Sequence, residues 1–260
     1  MMSARPLWVH PQIPRLLKFW VMRWQLASLL LACAMTPAAA QKRQPQAKPP
    51  AEVEITAEPN HHLVLENAYV RVFQVEVAPH SATLVHRHRH DYIFVTLGSA
   101  EISNEVKGKP PVTLKLEDGE TRFTPGNFAH LARNLAETSF RNVTIELLQG
   151  DKADASSPKW EGDRGLQVLH GGTQQILFVK DGVRVSEVEL QTAGVLPKHH
   201  HPGPRLVVAV TDIVFRDDVV GKPASNIEMK LGDVKWLEGG MTHTITNVGA
   251  KEAKFVELEF

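Results

Sequence analysis

From about His61 onward, apolar and polar residues alternate in short runs that are closed off by turn residues at close intervals. Segments 63–65, 70–77, 92–97, 112–116 and 143–148 are rich in Val, Ile, Thr and aromatic residues, the composition of strands. Asp118-Gly119 and Pro125-Gly126 stand between them as turns. After a polar interval the pattern resumes at 176–179, 183–190, 206–214, 227–231 and 255–260. No segment sustains an apolar period of 3.6 residues, so helices are expected to be few and short. Many short strands with regular turns predict an all-β sandwich or barrel.

The two stretches are copies of one unit. His86, His88, His130 and Asn134 recur as His199, His201, His243 and Asn247, each displaced by 113 positions. Gly119 pairs with Gly232 at that offset, Phe123 with Trp236, and Val70-Arg71-Val72 with Val183-Arg184-Val185. A long gapless period reports stacked or paired copies of one fold. The expected organisation is an export leader at 1–40, a flexible linker at 41–57, a first domain at 58–150, a connection at 151–167 and a second domain at 168–260. The leader rests on Met22-Arg23, a short apolar core and small residues at Ala38 and Ala40, with Met22 taken as the start. A competing reading makes Cys33 an acylated lipoprotein anchor. The apolar run is shorter than the roughly 20 residues of a spanning helix. The protein is therefore expected to be periplasmic or secreted.

Composition narrows the chemistry. Lys+Arg and Asp+Glu are equal at 29 each, so no net field draws the chain to nucleic acid, and small-molecule partners are expected. Cys33 is the only cysteine and lies in the leader, which leaves imidazole, carboxylate and hydroxyl chemistry to the folded part.

On a strand, His86 and His88 face one side together, as do His199 and His201, while Arg87 and His200 face the other. A third imidazole from a distant strand, His130 or His243, completes a facial set of three nitrogen donors with positions left open. His90 shares the parity of His86 and His88, but its repeat position is Gly203, so it reads as a rim or supporting residue. His61, His62, His80 and His170 have no histidine partner at the offset and read as exposed or rim residues.

These residues carry a resemblance to the cupins, whose motifs are Gly-x5-His-x-His-x3-4-Glu-x6-Gly and Gly-x5-Pro-x-Gly-x2-His-x3-Asn. The first copy of the second motif reads Gly119, Pro125, Asn127, His130, Asn134, with Asn127 in place of the inner glycine. The second reads Gly232, Glu238, Gly240, His243, Asn247, with Glu238 in place of the proline. The resemblance covers about residues 60 to 260 and implies a bicupin, two tandem double-stranded β-helix barrels of the jelly-roll kind. Such barrels pair within one chain or through a homodimer, and the sequence is compatible with either.

The resemblance implies a divalent transition metal, Fe, Mn, Ni, Cu or Zn, on His86, His88 and His130 and on His199, His201 and His243. The motif's glutamate is absent: its positions hold Tyr92 or Ile93, with Asp91 as a substitute one residue away, and 202–205 of the second copy hold no carboxylate. Arg205 there either binds an anionic group or pairs with a carboxylate such as Asp212. Two function classes follow. One is a metal-dependent oxygenase, isomerase or decarboxylase of a small acid or enol, with Tyr92 or His90 as proton donor; the other is a non-catalytic periplasmic binding protein for a small molecule or metal.

Overall fold

A computed structural model describes residues 51–149, 165–180 and 182–260. The expected leader, most of the expected linker and the interval 150–164 between the copies lie outside the described residues. Within them the chain is all-β, with one three-residue 3-10 turn at Ile55–Ala57 and no α-helix.

The first half carries β1 (Val53–Glu54), β2 (His61–Glu66), β3 (Val70–Val77), β4 (His86–His88), β5 (Tyr92–Leu97), β6 (Ala100–Val106), β7 (Val112–Leu116), β8 (Thr121–Thr124), β9 (Phe128–Asn134) and β10 (Phe140–Leu147). They form two five-stranded sheets, in the orders β1-β4-β9-β6-β7 and β2-β3-β10-β5-β8. The second half carries β11 (Leu166–Lys180), β12 (Val183–His201), β13 (Arg205–Ala209), β14 (Ile213–Val219), β15 (Ser225–Met229), β16 (Val234–Leu237), β17 (Met241–Asn247) and β18 (Ala253–Glu259). Its order is β15-β14-β17-β12-β18-β13-β16, with β11 alongside β12. Shifted by 113, the pairings of the first half reappear. Two changes accompany this: β12 spans both β3 and β4, so the two sheets become one, with a register shift between Leu196 and His199, and β11 spans the counterparts of β1 and β2, so the parallel β1–β4 pairing has no counterpart among the described residues.

Strands β3, β5 and β10 are buried on both faces, which explains their nearly unbroken apolar runs. Phe73, Val75 and Val77 point inward with Ile102, Leu116 and Phe140. On the opposite face Val70, Val72, Ile93, Val95, Val143 and Ile145 form one cluster with the second half. Their partners there are Val183, Val185, Leu206, Val208, Val256 and Leu258, each the 113-shifted copy of one of the six. The halves therefore pack within one chain through equivalent faces, about a pseudo-twofold relation.

Two motif positions explain themselves in the backbone. Asn127 holds φ at 62° where its counterpart Gly240 holds 75°, so asparagine, which tolerates the left-handed region, replaces glycine without changing the turn. Gly119, at φ 77°, faces Lys254 of the other half so closely that an added Cβ would lie 2.6 Å from its side chain.

The ordered fold begins earlier than the expected linker boundary at residue 57. Val53 and Glu54 pair with His86 and Arg87, Glu52 accepts from Arg87 Nε at 2.5 Å, and Ile55 is buried. The apolar alternation of Val53 and Ile55 is too short to stand out against the neighbouring prolines and lysines.

Candidate metal centre

Strand alternation places the histidines as their spacing predicts. His86 and His88 point into the first half at 1% and 2% exposure, Arg87 turns outward, and antiparallel pairing of β4 with β9 sets His86 opposite His130. His88 Nε2 lies 3.1 Å from His130 Nε2, and the His86 ring centre is 4.5 Å from that of His130. In the second half His201 Nε2 and His243 Nε2 are also 3.1 Å apart, and His199 is 4.6 Å from His243 by ring centres. His200 faces outward and meets Thr242 Oγ1 at 2.9 Å.

The outer ring nitrogens decide what the inner ones can do. In the first half His86 Nδ1 donates to Leu84 O (2.9 Å) and His130 Nδ1 to Asn104 Oδ1 (2.7 Å). In the second, His199 Nδ1 donates to Pro197 O (2.7 Å), His201 Nδ1 to Glu259 Oε1 (2.7 Å) and His243 Nδ1 to Asp217 Oδ1 (2.6 Å). A proton fixed on Nδ1 leaves a lone pair on Nε2, directed at the other histidines. Burial, then the neighbouring imidazoles, pushes His86 down to about 4, His88 lower still and His130 to about 3, so all three are neutral at pH 7.

This donor set fits a divalent transition metal. His86 Nε2 is buried without a hydrogen-bond partner. His88 Nδ1 has no partner to hold a proton, so Nε2 of His88 and Nε2 of His130, 3.1 Å apart, either share one proton or would face one cation. Two nitrogens each roughly 2.1 Å from one ion, at about 90–110°, would lie about 3.0–3.4 Å apart.

Glu146 and Glu259, at equivalent places in β10 and β18, were missed by sequence reasoning. Glu259 bonds to His201, whereas Glu146 Oε1 stops 3.8 Å short of His88 Nδ1 and both atoms lack a partner. Burial pushes Glu146 up to about 7 despite Arg71 beside it. The available signal was a glutamate inside an apolar strand, repeated at the 113 offset.

His61 corrects the expectation of a rim residue. Its side chain is 5% exposed, its ring centre is 4.6 Å from that of His86, and Nδ1 meets Glu58 Oε2 at 2.5 Å. It has no counterpart in the second half, where the equivalent residue is Gln174, and so the repeat could not reveal it.

Of the remaining first-half candidates, Tyr92 stacks on His88 with ring centres 4.1 Å apart, and burial pushes its hydroxyl up to about 12. His90 is half-buried in the turn after β4 and does not line the cavity. Asp91 accepts from the Gly126 amide at 2.7 Å, a turn contact outside the histidine cluster. The cavity holds about 690 Å³ and is lined, besides the histidines, by Tyr92, Asn104, Arg122, Thr124, Asn142 and Thr144.

In the second half Arg205 stands where the first has Tyr92. It is 1% exposed, pairs through Nε with Glu257 Oε1 at 2.9 Å and points Nη2 at His243 Nε2 from 3.4 Å. Its partner is thus Glu257, while Asp212 bonds Lys230 at the surface. The adjoining cavity, about 410 Å³, is largely apolar, with Leu196, Ile213, Phe215, Met229 and Phe255 among its walls.

No protein-family model matches the chain, and no curated protein resembles it in sequence. Solved structures do. The oxalate decarboxylase of Bacillus subtilis at pH 4.6 is 12% identical over 74% of this chain and 68% of its own, with a TM-score of 0.54. A second structure of that protein, concerned with its Mn(II) centres, is 12% identical over 77% and 75%, with a TM-score of 0.55. A third oxalate decarboxylase structure, concerned with substrate binding mode, is 14% identical over 77% and 75%, with a TM-score of 0.54. At this identity the likeness establishes the fold, which is that of a cupin.

Proposed function

We propose that this exported bicupin is a metal-dependent enzyme acting on a small carboxylic acid or enol, with its metal centre in the first half on His86, His88 and His130. The observation that carries the reading is the clustering of these buried neutral imidazoles, with His86 Nε2 unpartnered and Nε2 of His88 and His130 3.1 Å apart. Bound there, a divalent ion supplies a Lewis acid for a substrate oxygen. The chain's own residues do the rest. Asn104, Asn142 and Thr144 offer hydrogen bonds that orient a polar substrate, and Arg122, paired with Glu120, stands at the cavity wall. Tyr92 keeps its proton at neutral pH, which makes it a donor to a substrate oxygen beside His88. The leader before Gln41 supports a periplasmic or secreted location.

A non-catalytic binding role is favoured for the second half alone, because Arg205 brings a fixed positive charge to its histidines and its cavity is largely apolar. Elemental analysis of residues 41–260 tests both assignments. About one equivalent of transition metal is expected, lost in His86→Ala/His88→Ala and retained in His199→Ala/His201→Ala. Absence of metal after reconstitution with Fe, Mn, Ni, Cu and Zn overturns the reading. Chelator-sensitive turnover of a small acid or enol by the loaded protein separates enzyme from binding protein.

A further inference from the structure

We propose that His61 is a fourth imidazole ligand of the first-half centre, and that Glu58 behind it supplies the negative charge missing from the first motif. This rests on the metal reading of that half. A ring nitrogen of His61 lies within 4.8 Å of one on His86 and one on His88, and His61 lines the same cavity. Its Nδ1 is taken by Glu58 Oε2 at 2.5 Å, which leaves Nε2 as the ligand atom.

Glu58 is built to hold this arrangement. It is 1% exposed, and besides His61 it accepts from the Asn60 amide (2.9 Å), Asn60 Nδ2 (2.9 Å) and the Leu84 amide (3.0 Å). Four donors thus converge on its two oxygens, an acceptor-only role that suits a carboxylate. The Leu84 bond also ties the carboxylate to the residue whose carbonyl orients His86. One anion thus sets the tautomer of His61 and braces a neighbouring ligand.

A divalent ion on neutral imidazoles keeps its full charge in a low-dielectric site, and a carboxylate one imidazole away offsets part of it. Four nitrogens in an octahedral ion still leave two positions open. The second half offers no such pair, since Gly171 and Gln174 stand at the equivalent positions. The fourth ligand therefore belongs to the first half alone.

The test uses residues 41–260, loaded with Co(II), with affinity measured by chelator competition and coordination by visible absorption. His61→Gln and Glu58→Gln are expected to weaken Co(II) by roughly 10-fold or more and to change the spectrum. His62→Gln, at the exposed adjacent position, is expected to match wild type. Wild-type affinity and spectrum in His61→Gln, with metal lost in His86→Ala, would overturn the fourth ligand and leave the centre standing. Failure of the wild-type protein to bind any divalent ion would overturn both. Should Glu58→Gln fail to fold, His61→Gln decides alone, with thermal unfolding of the metal-free form as its control.

Discussion

Arg205 holds Nη2 3.4 Å from His243 Nε2, while Tyr92, at the equivalent place in the first half, stacks on His88. A guanidinium is charged at every working pH, so a divalent ion in the second half would have to share its histidines with a fixed cation. The two clusters have like skeletons, but in the second a guanidinium stands beside histidines that are backed by Asp217 and Glu259.

Restoring the first half's residues at these two positions, Arg205→Tyr with Glu257→Thr, is expected to raise bound metal from about one to about two equivalents. Arg205→Ala alone should instead cost about 3–5 kcal/mol, because it leaves Glu257 buried without its partner. Metal analysis and urea unfolding read the two effects, and an unchanged metal count in the double variant would remove Arg205 as the reason for the difference.

Tyr92→Phe keeps the ring on His88 and removes only the hydroxyl. Metal content should stay at the wild-type value while kcat falls by about 10²–10⁴ if the hydroxyl donates the proton. A full-rate Phe variant would take Tyr92 out of the chemistry.

Asn127 tests the backbone reading of the motif. Asn127→Ala places a Cβ with no local compensation at φ 62° and should cost about 1–2 kcal/mol. Asn127→Gly should lie close to wild type. Equal stability of the Ala and Gly variants would mean that the turn adjusts to the residue.

Burial lowers the His86 pKa to about 4 in the folded protein, against about 6.5 for a free imidazole. Above about pH 6.5 both states are neutral and the stabilisation is complete; as pH falls toward 4 the unfolded chain takes up a proton that the folded one refuses. The metal-free protein should thus lose on the order of 3 kcal/mol through His86 alone over that window. Glu146 and Glu257, pushed up to about 7, act in the opposite direction, so the His86 share is read as the difference between wild type and His86→Gln. Parallel pH curves for the two would show that His86 is not held neutral by the fold.

β3 and β5, buried on both faces, were legible to the residue because apolar β-rich residues mark them, while β10, buried likewise, begins three residues before its apolar run. β6 was not, since Glu101, Ser103, Asn104 and Glu105 dilute its pattern. β12 runs on past residue 190, where the expected segment ended, through Gly194 and Pro197, because its neighbours supply the ladder that local propensity withholds. The six repeated histidines were legible through the offset, and His61 was hidden by the same logic, being unrepeated. Glu257 lies 52 residues beyond Arg205, and nothing local to either announces the pair.

The apolar face that joins the halves is made of the same six positions on each side. A surface complementary to its own copy is what a single-unit ancestor would need to form a symmetric pair of identical chains. Joining two such units in one gene keeps the pairing and removes the requirement that both sites remain alike. Every substitution at one centre would have been made twice in that ancestor; in the fused chain one pocket can keep Tyr92 against its histidines while the other acquires the guanidinium of Arg205, and the shared face holds both in place as they diverge.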